Sequence, residues 1–388
     1  MLCHEDSKIG GEAHLFNVCV ADMTRLEYMN VIIAGGGTGG HLYPGIAIAR
    51  EILSEGRNEV LFVGTEQGIE ARVLAKEGLP VRFITAGKLK GMKLMSAIKT
   101  VLTLPRSIYQ SLRLLKEIRP DVVIGVGGYS SGPLGMAALG LGVPLLIVEP
   151  NSYAGLANRK LGKLADKVVL CFPGSNRMGF FQHQKTVSMG PLVRKGIEHG
   201  DRDAALRDYG LDPDRYLVFV MGGSGGAHAI NMAMKEATRY LRDVPGIQIL
   251  HQTGEKDAAE VAVGYRDSGM RAAVVPYIYD MAGAYAAADL VVSRSGATTV
   301  AELAVCGKRA VLIPFPFAAD NHQEYNARAL EALGAAEVLI QKDLRPELLS
   351  GLIKKYAEQG RGAPAVDRME NRAAEDIVGI CKSYVQKN

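Results

Sequence analysis

Short, continuously apolar runs alternate with stretches of helical periodicity through the first half of the chain. Continuous rather than alternating apolar runs are typical of parallel strands that are buried on both faces. The runs are VIIA, VLFV, VRFI, DVVIGV, PLLIV and KVVL, at residues 31–34, 60–63, 81–84, 121–126, 144–148 and 167–170. This half therefore predicts a doubly wound α/β domain.

The same pattern restarts after residue 196. Its apolar runs are LVFVM, IQILHQ, AAVVPY, DLVVS and AVLIPF, at residues 217–221, 247–252, 272–277, 289–293 and 310–315. Each half opens with a strand, a glycine-rich loop and a helix, and the loop sequences GGTGGH and GGSGGAH are alike. We predict an α/β fold of two doubly wound Rossmann-like domains that face each other across a cleft.

Length and composition agree with this organisation. The chain has 388 residues, which exceeds the size at which a single core stops growing. With 48% hydrophobic and 22% charged residues, it has the composition of a folded globular protein. The net charge of +4 is far from that of a dedicated nucleic-acid binder, so no nucleic-acid partner is expected. The five cysteines form no CxxC pair, which disfavours a zinc site and a disulfide framework.

The N-terminal segment differs from the rest of the chain. Residues 1–28 carry charges throughout and lack the pattern of a secretory signal. Met29 is a candidate natural start, because it lies two residues before the first apolar run. We therefore expect residues 1–28 to be an extension outside the fold. No apolar run in the chain reaches the roughly 18 to 20 residues that a membrane span needs.

The two glycine-rich loops are the leading candidates for ligand binding. Loops at the carboxyl ends of parallel strands bind anions, because helix N-termini there present free N–H groups. Thr38 and Ser224 can each add a hydroxyl to a bound phosphate or simply cap the next helix. GGGTGG also fits the dinucleotide pattern GxGxxG, but the next strand ends in Gly64 and Thr65 before Glu66, and not in the acidic residue that would hold a ribose. NAD is thus the weaker interpretation, and a nucleotide facing its reaction partner is the stronger one.

Seven motifs, in chain order, carry a family resemblance. They are GGGTGGHLYPGIAIA, GVGGYSSGP, EPNSYAGLANR, GPLVR, GGSGGA, SRSGATTVAE and DNHQEYNA, which begin at residues 35, 125, 149, 190, 222, 293 and 320. From residue 29 onward, the chain resembles the MurG family of peptidoglycan N-acetylglucosaminyltransferases, which have the GT-B fold.

The resemblance implies a reaction. Family members transfer N-acetylglucosamine from UDP-N-acetylglucosamine to the C4 hydroxyl of undecaprenyl-pyrophosphoryl-N-acetylmuramyl pentapeptide, with inversion at the anomeric carbon. The resemblance implies a hexosyltransferase of peptidoglycan precursor (lipid II) synthesis that needs no metal and no cofactor. It also implies a peripheral protein at the cytoplasmic face of the plasma (inner) membrane. Its further partners would be an anionic membrane surface and other cell-wall enzymes.

The resemblance also implies a donor site that lies mainly in the second domain. Arg194 and Ser224 would contact the nucleotide diphosphate, and Ala297 with Thr298 would supply a helix N-terminus to it. Donors of this kind stabilise a departing UDP without a metal. The implied substrate-binding residues are Thr38, Gly39, Gly40, Asn151, Arg194, Ser224, Ile278, Ala297, Thr298, Glu302 and Gln323.

Three of these residues would hold the nucleoside and the sugar. The backbone of Ile278 would meet the uracil, the Glu302 carboxylate would bind the ribose hydroxyls, and Gln323 would contact the sugar. Glu302 has an alternative interpretation, because Thr299 and Glu302 fit the T-x-x-E capping box that closes a helix start.

An inverting transfer needs a base that takes the proton of the acceptor hydroxyl. His41, directly after the first glycine-rich loop, is the candidate catalytic residue. The alternative is a histidine that only fixes the loop by hydrogen bonding. Two DxD strings, at residues 201–203 and 212–214, lie in a polar segment far from any strand end, and we interpret them as a solvated helix and a turn.

The chain departs from the family pattern at two places. Gly225 stands where the family usually has glutamine, which removes a side-chain contact with the donor. Glu149, Pro150 and Asn151 replace the more familiar His-Glu-Gln-Asn. Both departures bear on donor affinity and on the acceptor side.

A lysine-rich apolar stretch at residues 87–119 is a candidate membrane-contact region. Apolar residues flanked by lysines suit the surface of an anionic bilayer. The alternative is an amphipathic helix packed on the sheet. The membrane-contact candidates are Leu89, Lys90, Met92, Lys93 and Leu94.

The predicted domain limits follow from these motifs. Residues 29–193 would form the acceptor and membrane-side domain, residues 194–366 the UDP-sugar domain, and residues 367–388 a helix that returns to the first domain.

Four alternative functions remain open for this chain. They are a UDP-N-acetylglucosamine 2-epimerase, another UDP-sugar transferase, a nicotinamide dehydrogenase and a non-catalytic nucleotide binder.

Overall fold

The structure, a computed structural model, describes residues 28–87, 94–172, 174–176, 178–242, 244–361 and 367–386, and only the backbone of residues 94–102. The chain forms two parallel sheets with helices between successive strands. The predicted α/β fold with two doubly wound domains is confirmed.

The first sheet has seven strands in the order β3-β2-β1-β4-β5-β6-β7. Each neighbouring pair is parallel. The central strands are buried along their whole length, as their continuous apolar sequences predict. The strands are β1 (Asn30–Gly35), β2 (Glu59–Gly64), β3 (Val81–Phe83), β4 (Val122–Gly127), β5 (Leu145–Glu149), β6 (Lys167–Leu170) and β7 (Thr186–Ser188).

Helices cover both faces of this sheet and form two hydrophobic cores with it. One core includes the face of α1, and the other includes α3 and α4. The helices are α1 (Gly39–Ser54), α2 (Glu70–Glu77), α3 (Leu94–Ile118), α4 (Ser131–Leu141) and α5 (Leu156–Leu161), with a 3₁₀ turn at His183–Lys185.

The second sheet repeats the arrangement with six parallel strands in the order β10-β9-β8-β11-β12-β13. Its strands are β8 (Tyr216–Met221), β9 (Ile247–Gln252), β10 (Ala272–Val275), β11 (Leu290–Ser293), β12 (Ala310–Leu312) and β13 (Ala336–Val338). Its helices are α6 (Arg202–Asp208), α7 (His228–Leu241), α8 (Ala258–Asp267), α9 (Met281–Ala287), α10 (Ala297–Cys306), α11 (His322–Ala332) and α12 (Pro346–Glu358), with 3₁₀ turns at Ala319–Asn321 and Gln341–Asp343.

The last helix, α13 (Ala373–Val385), leaves the second domain and packs on the first. Its buried residues Ala373, Ile377 and Cys381 join the core that contains α1. The ammonium group of Lys382 lies 2.6 Å from the Glu55 carboxylate at the end of α1. The C-terminal helix therefore ties the two domains together behind the cleft.

The strands depart from their sequence-based limits in two ways. The runs predicted at 272–277 and 310–315 are too long, since β10 ends at Val275 and β12 at Leu312. Pro276 and Pro314 follow closely, and proline has no N–H to donate to a neighbouring strand. The sequence-based prediction also missed the edge strands β7 and β13, which have only three residues each.

Candidate functional site

Two helix N-termini face each other where the domains meet. They belong to α1 in the first domain and α10 in the second. A methyl group placed on Gly40 would lie 3.8 Å from Cβ and 4.0 Å from the backbone nitrogen of Ala297. Each N-terminus presents unpaired N–H groups and roughly half a positive charge, so the space beside them suits an anion.

Two hydroxyls stand at these helix starts. Thr38 occupies the N-cap position of α1, with extended backbone, but its side chain makes no capping hydrogen bond and is exposed. The hydroxyl of Thr298, in the first turn of α10, is buried and has no hydrogen-bond partner among the described residues. Both hydroxyls are therefore available to a bound anion.

The first glycine-rich loop is held by a buried carboxylate that sequence reasoning missed. Glu70, at the start of α2, accepts hydrogen bonds from the backbone N–H of Gly37 at 2.9 Å and of Thr65 at 2.8 Å. It also accepts one from the hydroxyl of Thr65 at 2.9 Å. Buried donors need such partners, so Glu70 fixes the shape of the loop. In the sequence, the sign of this role was the acidic residue that ends GTEQGIE, Glu70.

His41 lies directly after this loop, against the end of β4. A methyl group on Gly127 would lie 2.7 Å from Nδ1 of His41, so only glycine leaves room for the ring. Burial, helped by the charge of His322, lowers the pKa of His41 to about 4, and a backbone contact with Val126 opposes the shift. Nδ1 is buried without a well-aligned partner among the described residues. His41 is therefore neutral at neutral pH and able to accept a proton.

His322, in the second domain, lies close enough to His41 to affect its pKa and was not singled out from the sequence. Its Nδ1 lies 2.7 Å from the carbonyl oxygen of Ala319, an arrangement that fixes the proton on Nδ1 and the lone pair on Nε2. Burial lowers the pKa of His322, with the Ala319 carbonyl acting in the opposite direction. Both histidines are thus held in their neutral form.

The second glycine-rich loop has a different construction. Helix α7 begins at His228 with Ala227 as N-cap, and Ser224 is exposed four residues earlier. The interpretation of Ser224 as a helix cap is therefore wrong. Gly226 has a φ of +75°, and a methyl group there would overlap the carbonyl of Thr253, so this position requires glycine.

Gln252, at the end of β9, connects this loop to Ile278. Its Nε2 donates to the carbonyl of Gly223 at 3.0 Å, and its Oε1 accepts from the N–H of Ile278 at 2.8 Å. Ile278 is buried, and its N–H is already engaged. A uracil at this position could be read by the Ile278 backbone only through the carbonyl oxygen, or after displacement of Gln252.

Arg194, Glu302 and Tyr285 form a polar cluster beside α10. Nη2 of Arg194 lies 3.2 Å from Oε1 of Glu302, and the hydroxyl of Tyr285 donates to Oε2 at 2.9 Å. Burial raises the pKa of Glu302, and Arg194 and Tyr285 oppose that shift. Two residues with separate predicted roles, Arg194 and Glu302, are therefore partners of each other in this structure.

The capping-box interpretation of Glu302 is wrong. Helix α10 begins at Ala297 with Gly296 as N-cap, so Thr299 is the third residue of the helix and not its cap. Glu302 lies in the second turn, where its side chain turns to Arg194 and Tyr285.

Asn151 and Gln323 are held by neighbouring residues. Oδ1 of Asn151 accepts from Asn326 at 3.1 Å across the cleft, and its Nδ2 donates to Glu149 at 3.0 Å. The side-chain oxygen of Gln323 accepts from the N–H of Phe315 at 3.0 Å. Gln323 thus lies at the cleft beside β12, and Asn151 belongs to a hydrogen-bonded contact between the domains.

Asn326 is the centre of that contact, and sequence analysis assigned it no role. It is buried in α11, and its Oδ1 accepts from the N–H of Ser152 at 2.8 Å. Its Nδ2 also lies 3.2 Å from the carbonyl of Ser295. The domains are joined a second time by the ion pair of Arg159 with Asp320 at 3.0 Å.

Other predicted residues lie away from this cluster or outside the described residues. Asp201 caps α6 and Asp212 closes a turn through their carboxylates, which confirms the helix-and-turn interpretation of the DxD strings. Leu89, Lys90, Met92 and Lys93 lie outside the described residues, and Leu94 begins α3 without a described side chain. Within the described residues, no helix is long and apolar enough to cross a membrane.

Two family models match the chain, one in each half. Residues 31–170 match the glycosyltransferase family 28 N-terminal domain, and residues 217–378 match the glycosyltransferase family 28 C-terminal domain. These limits contain both glycine-rich loops and most of the cleft.

Two curated relatives carry the same name, UDP-N-acetylglucosamine–N-acetylmuramyl-(pentapeptide) pyrophosphoryl-undecaprenol N-acetylglucosamine transferase. The protein from Geobacter sp. (strain M21) is 46% identical over 372 residues, which cover 93% of this chain and 96% of the relative. The protein from Citrifermentans bemidjiense is 47% identical over 367 residues, which cover 93% of this chain and 100% of the relative.

Comparison with solved structures supports the same family. MurG from Acinetobacter baumannii superposes with a TM-score of 0.72 at 30% identity, over 93% of this chain and 100% of that one. A UDP-N-acetylglucosamine 2-epimerase superposes with a TM-score of 0.61 over 93% of this chain and 98% of that one, but at 14% identity it shares the fold alone. The chain therefore belongs to glycosyltransferase family 28 and, within it, to the MurG family of N-acetylglucosamine transferases.

Proposed function

We infer that this protein transfers N-acetylglucosamine from UDP-N-acetylglucosamine to a lipid-linked N-acetylmuramyl pentapeptide, in lipid II synthesis. The observation that carries the proposal is the cleft itself. The N-terminus of α10 and the guanidinium of Arg194 lie on one side, and the neutral His41 lies behind the N-terminus of α1 on the other.

The second domain supplies what a UDP leaving group needs. Departure of UDP concentrates negative charge on its diphosphate, and fixed donors stabilise that charge without reorganising. The N–H groups of Ala297 and Thr298, the buried hydroxyl of Thr298 and the guanidinium of Arg194 are such donors. The donor sugar nucleotide therefore binds on the second domain, with its sugar directed at the first.

The first domain supplies the base. We propose that the C4 hydroxyl of the acceptor attacks the anomeric carbon from the face opposite to the UDP, which inverts that carbon. His41 takes the proton of the hydroxyl as the new bond forms. Its lowered pKa keeps the ring unprotonated before the reaction, which is the state that a base requires.

The acceptor is a lipid, so the enzyme must act at a bilayer. We propose that the protein is peripheral at the cytoplasmic face of the plasma membrane and contacts an anionic surface through the start of the lysine-rich apolar stretch, at Leu89, Lys90, Met92, Lys93 and Leu94. The later part of the stretch packs on the first sheet through Leu115. Each lysine near such a surface contributes about 1 kcal/mol. Reversing the charge of Lys90 and Lys93 should weaken liposome binding and leave the turnover of a water-soluble acceptor intact. Equal loss of both would contradict this role.

The test of the transferase proposal is the release of UDP from UDP-N-acetylglucosamine in excess EDTA, with and without a short-chain analogue of the acceptor. We expect release that depends on the acceptor and ignores EDTA, together with a product that contains the new glycosidic bond. Release without acceptor would favour the epimerase instead. No release with the acceptor present would contradict the proposal and leave a sugar-nucleotide binder.

A further inference from the structure

The two contacts of the Glu302 carboxylate differ in character. Tyr285 is fully buried, and its ring packs edge to face on Phe219 at a centroid distance of 5.9 Å. The side chain of Arg194, in contrast, is 51% exposed, although the Glu302 side chain that it pairs with is only 5% exposed. Packing therefore fixes the contact with Tyr285, whereas the contact with Arg194 can be exchanged.

Binding of a nucleoside diphosphate would drive that exchange. A diphosphate carries more negative charge than one carboxylate, so it competes for the half-exposed guanidinium of Arg194. Glu302 would then lose a hydrogen-bond donor, and a buried carboxylate without sufficient partners is costly. The two ribose hydroxyls of the same ligand are donors that can replace Arg194.

We propose that Tyr285 is a positioning residue for donor binding, whose hydroxyl holds Oε2 of Glu302 so that Oε1 can pass from Arg194 to the ribose hydroxyls of the nucleotide. This inference rests on the proposed binding of a uridine diphosphate sugar in the cleft. Tyr285 itself does not touch the ligand. It acts on the ligand indirectly, by setting the orientation of the Glu302 carboxylate.

The test compares the binding of UDP and 2′,3′-dideoxy-UDP to purified wild-type protein and the Tyr285→Phe variant, by calorimetry. The wild type should bind UDP roughly tenfold or more tightly than the dideoxy analogue, since hydrogen bonds to a charged group are at stake. In Tyr285→Phe the affinity for UDP should fall about tenfold, whereas the affinity for the analogue should stay within about threefold. The discrimination between the two ligands should therefore nearly vanish.

Tyr265→Phe is the matched control. Tyr265 is also fully buried in the second domain, and its hydroxyl contacts Nδ1 of His251 at 2.7 Å instead of Glu302. This variant loses an equivalent buried hydroxyl and should keep the discrimination of the wild type. Should Tyr285→Phe fail to fold, a crystal structure of the wild type with UDP provides the test: Oε2 of Glu302 should stay on the Tyr285 hydroxyl while Oε1 contacts the ribose, and a carboxylate that leaves Tyr285 would overturn the inference.

Two results would overturn the inference. One is an equal loss of affinity for UDP and its analogue in Tyr285→Phe, which is what a merely structural role produces. The other is a wild type that does not discriminate between the two ligands, because Glu302 would then not contact the ribose. Discrimination as expected in a protein that transfers no sugar to the acceptor would support the role of Tyr285 and contradict the transferase function alone.

Discussion

The two glycine-rich loops have similar sequences but are supported in different ways. The first is held by a charged side chain, since the Glu70 carboxylate accepts the N–H of Gly37. The second is held by a neutral one, since the Gln252 amide donates to the carbonyl of Gly223, and by the close packing of Gly226 on the neighbouring strand end.

The loops also differ in what they present to the cleft. Helix α1 begins in the middle of the first loop, at Gly39, whereas α7 begins only at the last residue of the second loop, His228. In the second domain the helix that faces the cleft is instead α10, which follows β11. A repeated sequence motif therefore does not place the same group in the same position, and the first loop pairs with α10 across the cleft.

Because His41 follows the first loop, changes there should affect catalysis the most. Replacing His41 with alanine should lower kcat by 10²–10⁴-fold, the usual contribution of a general base, and leave the affinity for UDP within about threefold. The measurements are steady-state kinetics and calorimetry. His199→Ala, which removes an exposed histidine, is the control and should match the wild type. A His41→Ala variant with full kcat would assign the base to another group, with His322 the next to test.

The pH dependence of kcat/KM also tests the role of His41. Because the pKa of His41 is lowered to about 4, the ring stays neutral as the pH falls through the usual histidine value of 6.5. The acid limb of kcat/KM that His41 causes should therefore lie near pH 4 to 5, and not near 6.5. The depressed pKa also stabilises the folded protein above pH 6.5, and that contribution is lost as the pH falls toward 4. An acid limb at 6.5 that disappears in His41→Asn would contradict the buried, neutral state.

The second loop should be the more sensitive to steric change. Gly226→Ala combines a φ of +75° with overlap on the Thr253 carbonyl, and we expect a loss of about 3 kcal/mol in the free energy of unfolding. Gly225→Ala is the matched control, since a methyl group there meets nothing within 4 Å, and it should change stability by less than about 1 kcal/mol. Urea denaturation of both variants decides the matter, and similar stabilities would disprove the close packing of Gly226.

Removing the Glu70 carboxylate from the first loop should lower the free energy of unfolding by less than Gly226→Ala does, but by a measurable amount. Glu70→Ala leaves the partly buried N–H of Gly37 and the buried N–H of Thr65 without their acceptor, at a cost of about 2 kcal/mol. Turnover should also fall, because the loop positions His41. The exposed Glu66, in the same segment, gives the control variant Glu66→Ala, which should stay near the wild type. Thermal unfolding and kcat are the measurements, and a neutral Glu70→Ala would show that the glycines alone hold the loop.

The smallest expected effect, on the donor KM, is at Gly225, where the family usually has glutamine. The position is exposed and open, so Gly225→Gln should fold normally and restore the donor contact that the family usually has. One added hydrogen bond is worth about 1 kcal/mol, which corresponds to roughly fivefold in the donor KM. Gly225→Leu, of similar size but without the amide, is the control. An unchanged KM for Gly225→Gln would mean that this loop does not reach the donor.

Much of the fold could be predicted from the sequence because it depends on local patterns. The continuous apolar runs of β1, β4 and β8 mark buried parallel strands without reference to the rest of the chain. The short edge strands β7 and β13 could not be found this way, since three residues carry too little pattern.

The supporting contacts of the site could not be predicted, because they join distant parts of the chain. Glu70 lies 33 residues from Gly37, and Asn326 lies 175 residues from Asn151. Tyr285 sits in the helix MAGAYAA, where nothing in the sequence distinguishes it from an ordinary core residue. Pattern and family resemblance named Arg194 and Glu302 separately, and only the tertiary structure shows that they pair.

We propose that the second domain binds the donor nucleotide and that the first loop positions His41 beside the sugar. The decisive experiment is a crystal structure with bound UDP-N-acetylglucosamine. We expect the diphosphate within hydrogen-bond distance of the N–H groups of Ala297 and Thr298, with Arg194 turned from Glu302 toward it. A diphosphate bound instead at Gly39 and Gly40 of the first loop, with the Arg194–Glu302 pair intact, would contradict it.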